Sequence, residues 1–336
     1  MTLTQAAVWT KRGIIGTIVS IILIILAVTG SRMWYQYQLS LRPPVEEKPE
    51  MKFGSLPKIQ FPPSEVTSSN FSYSIDTVTG GLPEVLKLIK VYFIPQTSIS
   101  LLSSDRAQKL AESLGFSSSP EILSPARYKF KDDKGGTLTI DLTTGNFHIQ
   151  KQIEETATGS AQLNTASPPG REQLVTEFKN YLTERNLLIK NIENGKTNVT
   201  FKGPSPDKWE IAYISILPPD WDNIPTVTAS FSHGLVKATA KAAGDGTSKY
   251  INIGYTVWQP DKTTYSTYPL KTAEQALADL RSGLGFVSIE PAGAQVSISS
   301  VYLAYFQPED YSPYLQPVFV FEGPGFTALV PAASQN

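Results

Sequence analysis

The chain has 336 residues, 29 Lys and Arg against 30 Asp and Glu, a net charge of −1 and no cysteine. That balance leaves no electrostatic footprint for nucleic acid. The missing thiols exclude disulfides, thiolate nucleophiles, zinc–thiolate sites, iron–sulfur clusters and an acylated lipoprotein cysteine.

Residues 13–30, GIIGTIVSIILIILAVTG, carry no charge. As a helix rising ~1.5 Å per residue they would reach ~26 Å, enough for a bilayer core. Lys11 and Arg12 precede the run, and Trp34, Tyr35 and Tyr37 follow it at headgroup depth. The expectation is an uncleaved single-pass anchor over 13–30, with residues 1–12 cytoplasmic and the body extracytoplasmic. An exported body without cysteine suits a bacterial cell envelope with a single membrane.

Residues 31–63 form a proline-rich spacer, with RPPVEEKPEMKFGSLPKIQFPP from Arg42 to Pro63. Proline disfavours helix before it, so this stretch is expected to be extended. Phe53, Leu56, Ile59 and Phe61 point to its second half lying along the folded domain.

The body is then expected as α+β, three units over 64–165, 166–262 and 263–336, each a helix laid on an antiparallel sheet. The first helix is DRAQKLAESLGF, capped by Ser104 and Asp105 and stopped by Gly115. Strands ARYKFKDD, GGTLTIDL and GNFHIQKQ follow. Leu138, Ile140 and Leu142 alternate with Thr139 and Asp141, the period of a half-buried strand. A second helix, REQLVTEFKNYLTERNLL, follows Pro168-Pro169-Gly170, with Leu174, Phe178, Tyr181 and Leu182 on one side. Six strand-like runs come next. Of these, TVTASFS and LVKATAKA flank His233-Gly234, a hairpin signal. The third helix, TAEQALADLRSGLGF, is capped by Thr272. Its Leu284-Gly285-Phe286 matches Leu114-Gly115-Phe116, and Leu280 matches Leu110, which reads as an internal repeat. Strands VSISSVYLAYF, PVFVFEG and FTALVPA close the chain.

Chemistry-bearing residues are sparse. His148 sits in a strand and His233 in the expected turn, far from any nucleophile motif, so no catalytic, cofactor-binding or metal-binding residue is assigned. Gly135-Gly136 and Gly244-Asp245-Gly246 are turn glycines, not phosphate cradles. Asp132-Asp133, Glu154-Glu155 and Asp220/Asp222 lie in polar turn text. Asp220-Trp221-Asp222-Asn223 lacks the spacing of a calcium loop.

The aromatics are the strongest signal. Tyr302, Tyr305, Phe306, Tyr311, Tyr314, Phe319 and Phe321 crowd the last strands, and QPEDYSPYLQP over 307–317 is the segment most suited to exposure. Its tyrosines sit among prolines, which lowers the ordering cost of binding. Glu309 and Asp310 add a rim suited to a basic partner. The expected partner surface is Tyr305, Glu309, Asp310, Tyr311 and Tyr314.

The third helix with VSISSVYLAYF, QPVFVFEG and FTALVPA resembles the C-terminal unit of the YycH/YycI family, and LTIDLTTGNFHI resembles a PepSY module. The resemblance implies α+β units with no catalytic signature, in a membrane-anchored protein that regulates a cell-wall sensor kinase. The expected function is therefore non-enzymatic: a membrane-tethered protein that binds a protein partner and regulates or scaffolds an envelope complex. The alternative is a module that binds wall glycan through surface aromatics.

Overall fold

The computed structural model describes residues 28–34, 48–151, 168–205, 208–231, 233–242 and 249–334. The chain divides into two compact units, 1–48 and 49–336. In the first, residues 28–34 are helical. The rest of the expected anchor, 13–27, lies outside the described residues, as do spacer residues 35–47 with Tyr35 and Tyr37, Glu154-Glu155 and Gly244-Asp245-Gly246. Among the described residues no helix is long and apolar enough to cross a membrane. The single-pass anchor, and the cytoplasmic and extracytoplasmic placements that depended on it, are corrected on this finding.

The second unit is mostly β-structure: seventeen strands, four α-helices and one 3₁₀ turn among the described residues. Eight strands make one antiparallel sheet. In spatial order they are β3 (Glu121–Ser124), β4 (Arg127–Lys131), β5 (Thr137–Asp141), β6 (Phe147–Gln150), β11 (Tyr250–Tyr255), β10 (Val236–Lys241), β8 (Ile211–Ile216) and β7 (Thr197–Lys202). This sheet joins strands expected in two separate units, so the reading as repeated helix-plus-sheet units with a transmembrane helix is corrected. The cause is non-local pairing: β6 takes β11 as its neighbour, with Ile149 opposite Ile253.

One face of this sheet is apolar, and α1 (Leu101–Ser113) and α2 (Arg171–Thr183) cover it, with Ile192 of the short α3 (Lys190–Glu193) in the same core. Alternation supplies the core: Leu138 and Ile140 of β5, Phe147 and Ile149 of β6, Ala238 and Ala240 of β10 are buried. The helices meet them with Ala107, Ala111, Leu174, Phe178 and Leu182. α1 begins one turn before its expected start, because Ser100 and Ser103 form the capping box. Gly115, at φ +88°, ends it as expected.

A second sheet runs β12 (Tyr265–Pro269), β2 (Leu88–Phe93), β16 (Tyr314–Gly323), β15 (Ser300–Gln307), β9 (Thr226–Thr228). β17 (Phe326–Pro331) adds to β16, and β13 (Phe286–Ile289) to β17. β9 lies parallel to β15, while β10 belongs to the other sheet. The hairpin expected at His233-Gly234 therefore does not form. Gly234 serves close approach instead: a Cβ there would lie 1.7 Å from the Ile216 carbonyl oxygen. A short parallel pair, β1 (Ser72–Ile75) with β14 (Gln295–Ile298), completes the strands.

The second sheet is buried on both faces at its centre. On one side α4 (Ala273–Arg281) places Leu277 and Leu280 against Phe319, Phe321 and Val330. Thr272 caps this helix and Gln275 completes the box. On the other side Phe61 stacks on Phe286 at 5.0 Å and meets Phe306 edge-on at 4.9 Å. Leu56 is buried, and Phe53 stacks on Tyr314 at 4.8 Å. The second half of the spacer is thus a structural strap on the body, as its four apolar residues indicated. The matched Leu-Gly-Phe tripeptides are not equivalent. In the last unit the left-handed helix stop is Gly283, at φ +90°. At Gly285 a Cβ would lie 2.5 Å from Leu280 Cδ1.

Buried phenols give the fold an alkaline limit. Burial pushes Tyr73 and Tyr255 up to about 12, and Tyr92, Tyr250, Tyr302 and Tyr305 upward as well. A raised acid constant means the folded state prefers the neutral phenol. That contribution is complete below the ordinary tyrosine value of 10 and disappears as pH rises through about 12. Phenolate absorbance is therefore expected to appear together with loss of the strand signal in circular dichroism, between pH 10 and 12. Complete tyrosine titration near pH 10 with the strand signal intact would contradict the burial.

Candidate binding cleft

The face of the eight-stranded sheet turned away from the helices is polar by the same alternation that makes the other face apolar. Register sets one row across it: Lys129, Thr139, His148, Gly254, Lys237, Ser215 and Asn198 stand on consecutive strands from β4 to β7. Gly254 is the gap in this row. A Cβ there would lie 3.2 Å from the Lys237 side chain, so the lysine stem occupies the space that a side chain would fill. Lys237 Nζ reaches Glu309 Oε1 at 3.3 Å.

Glu309 belongs to the 308–313 loop, which rises over the sheet and walls a cleft of about 490 Å³. Arg127, Asn146, His148, Lys237, Asp310 and Trp258 contribute to its lining. Two hydrogen bonds fix the wall. Trp258 Nε1 donates to the Pro308 carbonyl at 2.7 Å, and the Tyr311 hydroxyl donates to the Ile94 carbonyl at 2.8 Å. The two rings meet edge-on at 5.8 Å. Burial pushes the Tyr311 phenol up, which keeps it a donor.

Two groups of the cleft differ in availability. Asp141 Oδ1 accepts from the backbone N–H and the hydroxyl of both Thr143 and Thr144, so that oxygen is committed to the turn. Asn146 Oδ1 accepts from the Val257 N–H at 2.9 Å, while its Nδ2 is buried with no hydrogen-bond partner. An unpaired buried donor is costly, and a ligand acceptor would satisfy it.

The five residues expected to form a partner surface separate here. Glu309 and Asp310 are exposed at the cleft rim. Tyr311 is half-buried and holds the wall. Tyr314 is half-buried, sandwiched near Phe53 and Phe93 at 4.8 and 6.2 Å. Tyr305 is 1% exposed and donates to the Lys90 carbonyl at 2.7 Å, so its placement on a surface is corrected. The reason is the double coverage of the second sheet, which leaves β15 no solvent face at that point.

The other carboxylates are structural. Asp132 Oδ1 accepts from the N–H groups of Lys134 and Gly136 at 3.0 and 2.6 Å. Asp222, in a turn with Asn223 at φ +51° and +63°, accepts from the Tyr92 hydroxyl and lies 3.7 Å from Lys90 Nζ. Among the described residues no group of three or more His, Asp or Glu is placed to hold a metal.

Sequence reasoning missed Lys237, Gly254 and Asn146. Alternation around Phe147 and Ile149 already put His148 on the polar face. Nothing local set it beside β11 and β10, whose residues lie about a hundred positions away.

No family model and no curated protein matches this sequence. Among solved structures, an uncharacterized protein from Eubacterium rectale ATCC 33656 is similar at 13% identity, with a TM-score of 0.39, over 75% of this chain and 85% of that one.

Proposed function

We propose that this protein is a non-enzymatic binding protein. It recognises another protein through the cleft above the polar sheet face and regulates or scaffolds the complex so formed. The observation that carries this reading is the cleft itself: a rigid wall, charges of both signs and an unpartnered amide donor facing one space. Arg127, His148 and Lys237 face Glu309 and Asp310 there, a lining that matches a surface of mixed charge. Among the described residues the His148 imidazole has no hydrogen-bond partner, whereas a catalytic histidine is oriented by one and paired with a nucleophile. The aromatics that suggested a glycan surface are largely consumed by packing: Tyr305, Phe306, Phe319 and Phe321 are at most 2% exposed. The resemblance to YycH/YycI proteins agrees, since those proteins act through a protein contact.

The test is site-specific photocrosslinking in the cells that make the protein. A photoreactive residue at Asp310 is expected to give one discrete protein adduct. The same residue at Glu112, exposed on α1 beyond the opposite face, is expected to give none. Lys237→Glu should reduce the adduct by about tenfold, by reversing one charge of the cleft and breaking the Glu309 pair. Equal adducts from both positions, or none from position 310, would refute the cleft as the binding site.

A further inference from the structure

A second, apolar pocket adjoins the cleft. Ile216 of β8 lines it from the first sheet and Leu315 of β16 from the second, and Pro219 and Trp221 line it from the connection between β8 and β9. Leu235, Thr256 and Trp258 line both this pocket and the cleft, so the two spaces share a wall. Ile216, Trp221 and Leu315 are buried, whereas Pro218, Pro219 and Val257 are half-buried and form its rim.

Size decides what can enter. The pocket holds about 40 Å³. Small-molecule sites start near ~300 Å³, and a cavity of ~150 Å³ is what holds a benzene ring. The space exceeds the ~30 Å³ share of one water, so it suits the methyl tips of one aliphatic side chain and no ring. Water in so apolar a site lacks partners, and an apolar group that displaces it gains affinity. Seated side chains of this kind are the anchors that carry much of the energy of a protein interface.

Charge decides what stands beside the anchor. Among the described residues no charged side chain lines the pocket. Lys262 lies over the Trp221 ring at 4.8 Å but outside the lining. From Gln307, at the pocket, the chain runs directly into the acidic rim of the cleft. Glu309 there is taken by Lys237. Asp310 is exposed and, among the described residues, has no ionic partner. It lies three residues past Gln307, at most ~11 Å of chain, a span that a lysine or arginine next to the anchor covers.

We infer that this pocket is the anchor point of the bound partner: it takes one aliphatic side chain of the leucine class, and Asp310 takes a basic residue beside it. The inference rests on the reading of the cleft as a protein-binding site and supplies the chemistry by which the partner is selected. The anchor provides affinity by burial, and the charge at the rim provides selectivity. The Gln307 amide, a donor and an acceptor at the pocket, meets the peptide groups that flank the anchor.

The experiment uses the full chain and capped dipeptides at millimolar concentration, read by the indole N–H resonances in nuclear magnetic resonance. Acetyl-Leu-Lys-amide is expected to shift Trp221 and Trp258 saturably and to leave Trp209, whose indole donates to the Pro169 carbonyl, unmoved. Acetyl-Gly-Lys-amide and acetyl-Phe-Lys-amide should give no saturable shift. Acetyl-Leu-Glu-amide should bind at least about tenfold more weakly, and Asp310→Lys should invert that preference. Val257→Phe, which places a ring at the rim, should abolish the Leu-Lys shift with little change in melting temperature. The inference fails if Leu-Lys does not bind, if Gly-Lys or Phe-Lys binds equally well, or if Leu-Glu binds equally well. The dipeptide arms use the unaltered protein, so they decide the matter even if a variant fails to fold. A discrete adduct at position 310 with no dipeptide binding would leave the cleft reading standing and overturn this one. Selective dipeptide binding with no adduct would do the reverse.

Discussion

Phe319→Ala is expected to destabilise the protein by about 3–5 kcal/mol. Phe319 lies in β16, fully buried, between Leu303 of β15 and Val330 of β17 in register. Its ring is 6.3 Å from that of Phe321 and packs in the cluster that holds α4 on the sheet. Cost at such a site depends on how far neighbours can collapse into the space left behind. Here the backbone is held by strands on both sides and the opposite face is also packed, with Val318 and Val320 buried beneath it. Little relaxation is available. For a chain this long the loss corresponds to a fall in melting temperature of roughly 6–15 °C. Tyr213→Ala is the control, since Tyr213 is 41% exposed on the polar face of the other sheet. It should change stability by less than about 0.5 kcal/mol. Urea melts with an unchanged slope measure both. A cost below about 1.5 kcal/mol for Phe319→Ala would mean that the second sheet is not covered on both faces.

The elements that sequence reading placed well are those specified by neighbours in the chain. Thr272 and Gln275 lie three apart and cap α4. Leu138 and Ile140 alternate with polar residues and form β5. Phe53, Leu56, Ile59 and Phe61 marked a strap whose apolar residues had to be buried somewhere. The failures share a different cause. Which strands pair is decided by contacts spanning long stretches of chain, such as Tyr73 with Val296 or Ile149 with Ile253. No local period reports them. Gly234 has the composition of a hairpin turn, yet its role is to let two backbones approach. Tyr305 follows a pattern that signals exposure only when one face of a sheet is open. The cleft was half legible: Glu309 and Asp310 were recognised as an acidic rim, but Lys237 and His148 reach it through a register that spans both sequence halves.

Glu177→Leu is expected to cost about 2–3 kcal/mol, and adding Lys249→Met should recover most of that loss. Glu177 on α2 pairs with Lys249, which lies immediately before β11. The lysine side chain is 9% exposed and the carboxylate 35% exposed. Removing the acid strands an ammonium in a poorly hydrated place, and that penalty, more than the lost attraction, sets the cost. The partial exposure of Glu177 puts the figure below the range for a fully buried pair. Gln173 Nε2 also donates to Glu177 Oε1 at 2.9 Å, so the carboxylate is held in position before it meets the lysine. Replacing both charges removes the penalty and leaves two apolar side chains beside Phe178 and Tyr250, which explains the expected recovery. A second signal accompanies the first. Burial raises the Tyr250 phenol most, and the Glu177 charge raises it further, so Glu177→Leu should lower its titration point while leaving Tyr255 where it is. High salt separates this pair from a surface ion pair, because screening barely reaches a shielded contact. The cost of Glu177→Leu should persist in about 1 M NaCl, and a cost that vanishes there would place the Lys249 ammonium in solvent.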